Sequence, residues 1–221
     1  MDVTKFVSLL ATKTLYFTRA DQLGDPWEGA QSPPTVALSE KTLKNVLGPD
    51  DAFLEIAGRA KNCKAVRKQT FISCRDRNEQ ESAAMWKLYL KSDEGIAVRT
   101  TSKGLKEAII YDPPFYIGQI AYIDYTQLIL GNNPLLPFLH KRKSFEHECE
   151  VRAVVYGPEA KVLDTSVKGL VVQVNLDLLV EEVFVAPHTP AWIVQVVKSV
   201  MDKFGLDRCV NQSSLSKDPV Y

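Results

Sequence analysis

Alternating apolar positions mark the strands of this chain, and apolar positions three and four residues apart mark its helices. Alternation and β-favouring residues predict strands at 14–19, 69–75, 95–101 and 115–125, with more in quick succession in the last third. Helical spacing predicts helices at 78–91 and 189–205. Because helices and strands are interspersed irregularly, the pattern favours an α+β fold over the regular βαβ alternation of a parallel sheet.

The helix predicted at 78–91 has a recognisable start. Asn78 can act as its N-cap, with Glu81 as the capping-box partner. One helical face, interpreted as core packing, carries Ser82, Met85, Trp86 and Tyr89. Residues 20–68 begin with a Gly-, Pro- and Asp-rich loop and are patchily helical afterwards. We therefore predict a single domain over 1–221 with an elaboration at about 20–68.

The stretch FEHECEVRAVVY, residues 145–156, places glutamates at alternate positions before an apolar run. As a strand it projects Glu148, Glu150 and Arg152 from one side, because side chains alternate with a period of two. Two carboxylates on one face repel each other unless a cation or a polar ligand lies between them. Arg152 can neutralise them in a surface ladder, or the pair can hold a ligand.

Composition limits the classes of function. The 221 residues are 45% hydrophobic and 24% charged, and 27 basic residues balance 27 acidic ones. The balance argues against attraction of the whole protein to nucleic acid or to an anionic membrane. No apolar run is long enough to span a bilayer and no signal peptide is recognisable, so the expected location is the cytoplasm.

Cysteines and local charge runs add two expectations. The four cysteines lack metal-ligand spacing, so we predict buried thiols and no metal site, at Cys63, Cys74, Cys149 and Cys209. The run 59–68 contains no acidic residue, and 140–143 adds three basic ones. Such runs are usually solvated faces. The alternative is a patch that contacts nucleic-acid phosphates, formed by Arg59, Lys61, Lys64, Arg67 and Lys68.

Two polar residues on predicted strands are further candidates. Arg19 ends the first strand and can offer its planar fork of donors to a phosphate or carboxylate, or to an acid of the following loop. Ser73 shares a strand face with Phe71 and Arg75, where a small hydroxyl can touch a ligand or bond to backbone.

The order of these motifs resembles the Arg–Ser–Glu architecture of the mono-ADP-ribosyltransferases. In that superfamily the first strand carries an Arg, a middle strand an aromatic-x-Ser-Thr-Ser motif, and a later strand a Glu-x-Glu. The matching residues here are Arg19, Ser73 and the pair Glu148 and Glu150, although FISC replaces the full serine motif. Over nearly its full length the chain also resembles a bacterial domain family of unknown function, through LYFTRADQLGDPWEG, ESAAMWKLYLKSDEGIAV, SFEHECEVR, FVAPHTPAW and FGLDRCVNQSSL.

The resemblance implies a central, mostly antiparallel split sheet flanked by helices, and an intracellular transferase that uses NAD as its substrate. It implies that Glu150 holds the ribose 2′-hydroxyl and stabilises the oxocarbenium-like transition state, while Glu148 activates the acceptor. Arg19 then binds a phosphate or ribose of NAD, Ser73 supports the nicotinamide side, and the stacking ring comes from Tyr16, Trp86 or Tyr89. The acceptor is a nucleic acid, at the basic run 59–68, or a protein. Intracellular transferases with this layout often serve as toxins or in anti-phage defence, and an antitoxin that holds the site closed would then be a partner.

Two other classes of function stay open at this point. A metal-dependent nuclease could use Asp21, Asp25 and Glu28 with the E-x-E stretch, although a restriction-type core carries Lys where this chain has Arg152. A non-catalytic binding domain needs no chemistry from these residues. NAD glycohydrolase activity is a variant of the transferase hypothesis.

Overall fold

Helices and mostly antiparallel strands alternate irregularly along the chain, which confirms the α+β prediction. The computed structural model describes residues 1–90, 94–157 and 166–217. The helices are α1 (Val3–Thr12), α2 (Pro33–Leu47), α3 (Pro49–Arg67), α4 (Ala83–Tyr89), α5 (Ser102–Ala108), α6 (Leu176–Leu179) and α7 (Ala191–Lys203). The strands are β1 (Thr14–Arg19), β2 (Phe71–Asp76), β3 (Ile96–Arg99), β4 (Ile109–Ile110), β5 (Tyr116–Gln119), β6 (Ala121–Ile123), β7 (His140–Arg142), β8 (Glu150–Val155), β9 (Gly169–Val174), β10 (Glu182–Val185) and β11 (Val210–Gln212).

The chain folds as two compact units, each assembled from separate segments. The first unit contains Met1–Leu15, Asn78–Tyr111 and the chain from Val171 onward. Within it β10 pairs antiparallel with β3 and parallel with β11. Its buried side chains recur every three or four positions on α1 and α7 and every second position on β10, as expected for elements that each cover a core with one face.

The second unit contains Tyr16–Arg77 and Asp112–Leu170, and therefore includes the predicted elaboration at about 20–68. Its strands run in the order β1, β2, β8, β5, each antiparallel to the next. The short strands β6 and β7 pair in parallel beside this sheet segment. A cluster of buried apolar side chains packs on one face, formed by Ala20, Ile72, Phe138 and Val154.

Helices α2 and α3 form a hairpin in the second unit. Ser32 caps α2 by accepting a hydrogen bond from the Thr35 backbone N–H, with Pro33 in the first turn. Gly48 joins the two helices at φ 80°, a left-handed conformation that favours glycine. Most of α3 is exposed, and within it only Ala52 is fully buried.

The predicted start of the helix at 78–91 is wrong. Helix α4 begins at Ala83 with Ser82 as its N-cap, because Glu81 bonds elsewhere. The Glu81 carboxylate accepts hydrogen bonds from the Trp86 indole at 3.2 Å and from the Ser214 backbone N–H at 2.8 Å, and it also bonds the Ser213 hydroxyl. No residue of α4 is fully buried, so its predicted core face is also wrong.

Three further expectations need correction. The segment 115–125 forms two short strands, β5 and β6, because its first half pairs with β8 and its second half with β7. Helix α7 begins at Ala191, two residues after the predicted start at 189, and its N-cap residue Pro190 makes no side-chain cap hydrogen bond. The cysteines are not buried: Cys63, Cys74 and Cys209 are exposed and Cys149 is half-buried. Among the described residues, no helix combines the length and the apolar character needed to cross a membrane.

Candidate functional site

Glu148 and Glu150 lie in two different elements. Residues Lys143–Glu148 form a 3-10 helix, and β8 begins only at Glu150. Between them Cys149 adopts a left-handed conformation, with φ 42° and ψ 50°, that ends the 3-10 helix and redirects the chain into the strand. The prediction that one strand carries both carboxylates is therefore wrong.

Lys141 nevertheless brings the two carboxylates together. Its Nζ bonds the Glu148 carboxylate and lies 3.3 Å from Glu150 Oε2 and 3.6 Å from Glu28 Oε1. Burial opposes the charged ammonium, but the hydrogen bond to Glu148 and the charges of Glu150 and Glu28 outweigh it and raise the pKa of Lys141 above its ordinary value. The cation between the repelling glutamates is thus a lysine from β7, seven residues before Glu148.

Arg152 forms the buried centre of the same cluster. Its guanidinium makes two hydrogen bonds to Glu150, at 2.7 and 3.1 Å, and two to Glu28, at 2.6 and 2.8 Å. A fifth bond runs to the Phe138 carbonyl at 2.9 Å. The five donors of the arginine fork are matched by these acceptors, which is how a fully buried guanidinium can stay charged. Arg152 is buried together with the two carboxylates that it bonds, Glu150 and Glu28, so these residues do not form the Glu–Glu–Arg surface ladder that the sequence also allowed.

The cluster controls protonation at its centre. Burial alone would raise the pKa of Glu150, but the hydrogen bond and charge of Arg152, with smaller help from Lys141, hold it below its usual value. The Glu150 backbone N–H donates to the Tyr122 hydroxyl at 2.8 Å. Burial, with the nearby charges of Glu150 and Glu148, raises the pKa of the Tyr122 phenol. Glu150 is therefore ionised and Tyr122 protonated at neutral pH.

The formal charges of this group do not cancel. We define the carboxylate cluster as Glu28, Glu148, Glu150, Lys141 and Arg152. It holds three carboxylates and two cations, a formal excess of one negative charge. The side chains of Glu28 and Glu150 are 3% and 5% exposed, and that of Glu148 is 14% exposed. Glu148 is thus the carboxylate of the cluster most open to solvent.

The loop after β1 supplies Glu28 and is itself held by ion pairs. Asp25 accepts two hydrogen bonds from Arg142, at 3.0 and 2.8 Å. Gly29 has φ 70°, and a Cβ there would lie 2.5 Å from the Phe138 ring. Only glycine meets both constraints, which explains the residue that follows Glu28 in the sequence DPWEG.

Arg19 and Ser73 lie on the other face of the sheet from Glu150. Glu150 pairs across the strands with Asp76, whereas Ser73 pairs with Ala153 and Arg19 with Phe71. Directly paired residues share a face and successive residues alternate. Glu150 is also five residues along β8 from Val155, the partner of Phe71, which is about 16 Å of strand. The three residues therefore do not form one site, although their strands are neighbours.

Arg19 and Ser73 differ in the hydrogen bonding of their side chains. Arg19 bonds the Asp21 carboxylate at 2.6 and 3.1 Å and the Val167 carbonyl at 2.9 Å, and its hydrogen bond and charge lower the pKa of Asp21 against the opposing effect of burial. Ser73 is 3% exposed, and its hydroxyl has no hydrogen-bond partner among the described residues.

The three residues predicted to stack on the nicotinamide ring do not all belong to the same unit. Tyr16 is 56% exposed and lies two residues before Thr18, which pairs with Ile72 on the face that carries Glu150. Its ring covers Gly169, where a Cβ would lie 2.2 Å from the Tyr16 hydroxyl. Trp86 and Tyr89 belong to the first unit, so Tyr16 is the candidate that shares a unit and a face with Glu150.

The basic run 59–68 lies at the end of α3 and on the residue after it. Lys61, Lys64 and Lys68 are exposed, and none forms an ion pair within the described part of the chain. Arg59 bonds Glu55 at 3.0 Å, and Arg67 is half-buried. The second run, 140–143, is different from the expectation because Lys141 is buried in the carboxylate cluster and Arg142 is paired with Asp25.

The acids proposed as nuclease ligands each face an arginine. Asp21 bonds Arg19, Asp25 bonds Arg142, and Glu28 bonds Arg152. Over residues 1–90, 94–157 and 166–217, no group of three His, Cys, Asp or Glu side chains is arranged to hold a metal ion. Carboxylates already engaged by guanidinium groups offer few free oxygens to a cation.

Lys141 and Tyr122 were not predicted as residues of this site, and Glu28 was predicted only as a metal ligand of the nuclease alternative. Lys141 lies in the basic sequence HKRK, and its place between Phe138 and the E-x-E stretch gives no local signal of burial. The Glu28 to Arg152 pair spans 124 residues, so only the tertiary fold brings the two together. A scan against protein-family models gives no match, and neither the search of curated proteins nor that of solved structures finds a similar protein.

Proposed function

We propose that the protein is an NAD-dependent mono-ADP-ribosyltransferase whose reacting groups are Glu148 and Glu150. The observation that carries this proposal is the carboxylate cluster at the start of β8, with its formal excess of one negative charge. The nicotinamide–ribose bond of NAD breaks through an oxocarbenium-like transition state, as in glycoside cleavage. A positive charge that develops beside the cluster is stabilised because it completes the charge balance.

The two glutamates are suited to different roles. Glu150 is buried, ionised and fixed by Arg152, so in our proposal it orients a ribose hydroxyl and provides the fixed negative charge. Among the described residues, Lys141 is the cation that bonds Glu148, which is the more exposed of the two glutamates. Glu148 is therefore assigned to the acceptor, whose nucleophilic group it polarises or deprotonates.

The order of the strands supports the resemblance to a transferase fold. The sheet faces on which Arg19, Ser73 and Glu150 lie change the roles that the resemblance implies for them. The strands that carry Arg19, Ser73 and Glu150 are consecutive neighbours, β1, β2 and β8, although they are far apart in sequence. Because Arg19 and Ser73 lie on the opposite face from Glu150, the proposal gives them no contact with the reacting bond. Tyr16 is kept as the aromatic candidate for the nicotinamide ring.

The test is transfer of label from NAD carrying a labelled adenylate to macromolecules of a cell lysate. We expect labelled product with the wild-type protein and its loss with Glu150→Gln. Glu107→Gln, which changes an exposed glutamate on α5, is the matched control and should keep full activity. Parallel lysates treated with nuclease or protease identify a nucleic-acid or protein acceptor, as expected of a toxin or anti-phage effector. Absence of both transfer and nicotinamide release with all acceptors present contradicts the proposal, whereas release alone indicates a glycohydrolase.

A non-catalytic binding domain is the second candidate, favoured by one specific observation. Arg152 makes two hydrogen bonds to each of Glu28 and Glu150, so much of the acceptor capacity of both carboxylates is used within the fold. On this alternative the cluster serves only to hold the loop after β1 against β8. It predicts that Glu150→Gln changes stability and has no effect on NAD.

A further inference from the structure

A separate recess in the second unit has aromatic and basic walls. It is lined by Trp27, residues 123–126, Arg142 and Lys143, and its volume is about 290 Å³. Small-molecule pockets in proteins range upward from roughly 300 Å³, so this recess can hold one ring system with its substituents. None of the carboxylate cluster lines it.

Its aromatic wall is held in place by bonds on both sides. The Trp27 and Tyr125 ring centroids are 5.0 Å apart, at an interplanar angle of 55°. Tyr125 is buried and donates its hydroxyl to the His140 carbonyl at 3.2 Å. The Trp27 backbone N–H donates to Asp25, which Arg142 anchors. The wall is therefore formed before any ligand binds, which lowers the entropic cost of binding.

The polar lining of the recess carries charges of both signs. Lys143 is exposed and makes no ion pair with a carboxylate of the described chain, and its charge adds to the hydrogen bonds from Thr126 in lowering the pKa of the Asp124 carboxyl. Asp124 accepts hydrogen bonds from the Thr126 backbone N–H and hydroxyl, at 2.9 and 2.6 Å. A carboxylate has about four acceptor positions, so Asp124 can still accept from a hydroxyl group of a ligand.

We propose that this recess binds a mononucleotide, with the base stacked on the half-buried Trp27 ring that Tyr125 supports from behind, the ribose hydroxyls at Asp124 and the phosphate at Lys143. A planar base stacks on aromatic side chains irrespective of its identity. The Lys143 ammonium and the Asp124 carboxylate in the lining match a phosphate and a hydroxyl-bearing sugar. This inference does not depend on ADP-ribosyl transfer, since binding of a nucleotide requires no reaction.

The experiment is isothermal titration calorimetry of the full chain with AMP, adenosine and ribose 5-phosphate, each in a separate titration. AMP should bind, and Trp27→Leu should weaken AMP and adenosine by roughly tenfold or more, the range expected for loss of one stacking contact. Lys143→Gln should weaken AMP and ribose 5-phosphate and leave adenosine unchanged. Trp192→Leu removes an exposed tryptophan of α7 and is the matched control, expected to bind as the wild type does.

Two results overturn the inference. One is absence of AMP binding to the folded wild-type protein at millimolar concentration, and the other is AMP binding that is equal in the wild type, Trp27→Leu and Lys143→Gln. If Trp27→Leu fails to fold, Lys143→Gln and Asp124→Asn decide the question. Unchanged AMP affinity in both Lys143→Gln and Asp124→Asn would equally contradict the proposed site.

Discussion

At the scale of single residues, the hydrogen bonds of Arg152 fix the position of Glu150 in the E-x-E stretch. A guanidinium with no solvent exposure bonds two carboxylates that come from opposite ends of the second unit's sequence. Burying charges is costly, and the cost is offset only when every donor finds a partner. Removing this one side chain leaves Glu28 and Glu150 buried beside each other with Lys141 as their remaining cation.

Arg152→Met should therefore destabilise the protein by about 3–5 kcal/mol, the usual cost of leaving buried charges uncompensated. Arg152→Lys should recover only part of this loss, because an ammonium cannot bond both carboxylates as a planar fork does. Urea unfolding provides the measurement. Arg99→Met, which breaks an exposed pair with Glu182, should cost less than about 1 kcal/mol. Equal effects of the two methionine variants would show that the cluster is energetically unimportant.

Glu150 should also contribute to the pH dependence of stability. Its pKa in the folded state lies below the ordinary value of 4.5, so its contribution is present above about pH 4.5 and is lost as the pH falls through the folded-state pKa. The free energy of unfolding of Glu150→Gln, measured from pH 6 downward, should fall less steeply in acid than that of the wild type. Parallel curves would contradict the assignment, and Glu107→Gln is the control.

Sequence alone could predict that Glu148 and Glu150 are close, because an E-x-E spacing keeps two carboxylates near each other in most backbone conformations. It could not predict which cation separates them. Arg152 was a reasonable candidate for both glutamates, but it bonds Glu150 and Glu28, while Lys141 bonds Glu148 as well as Glu150. These choices depend on a left-handed residue, Cys149, that no propensity rule requires.

At the scale of elements, the alternation of apolar residues predicted the positions of three neighbouring strands well. Strands β1, β2 and β8 lie close to their predicted positions. The faces of these strands follow from register, which the sequence does not contain. A one-residue change of register moves a side chain to the other face, and this is why Arg19 and Ser73 do not join Glu150 as the motif order suggested.

The exposed end of α3 carries a prediction of its own. Lys61, Lys64 and Lys68 recur at helical spacing, so replacing all three by Gln should weaken binding to a short DNA or RNA duplex and lower the salt dependence by roughly 0.9 per lost phosphate contact. Fluorescence anisotropy at several salt concentrations measures both quantities. Lys103→Gln, Lys106→Gln and Lys203→Gln together remove the same charge elsewhere. If both triple variants bind alike, the lysines only complement the C-terminal end of the helix dipole.

At the scale of the whole molecule, the motifs divide between the two units. The second unit contains the carboxylate cluster and the recess that Trp27 lines. The first unit contains Glu81 with its bonds to Trp86, Ser213 and Ser214. The pattern of apolar positions correctly indicated an α+β fold, because irregularly interspersed helices and strands can be recognised from their periodicity. It gave no signal for the division, because each unit is assembled from segments far apart in the chain.

The most direct measurement of the central claim is the rate of nicotinamide release from NAD in the presence of cell lysate. Our account predicts release by the wild type, unchanged release by Glu107→Gln, and a loss of roughly 100-fold or more in Glu150→Gln and in Glu148→Gln. Arg19→Ala and Ser73→Ala should retain far more activity than either glutamate variant, because both residues lie on the other face of the sheet. Release that is equally fast in the wild type and in a folded Glu150→Gln protein would contradict the account.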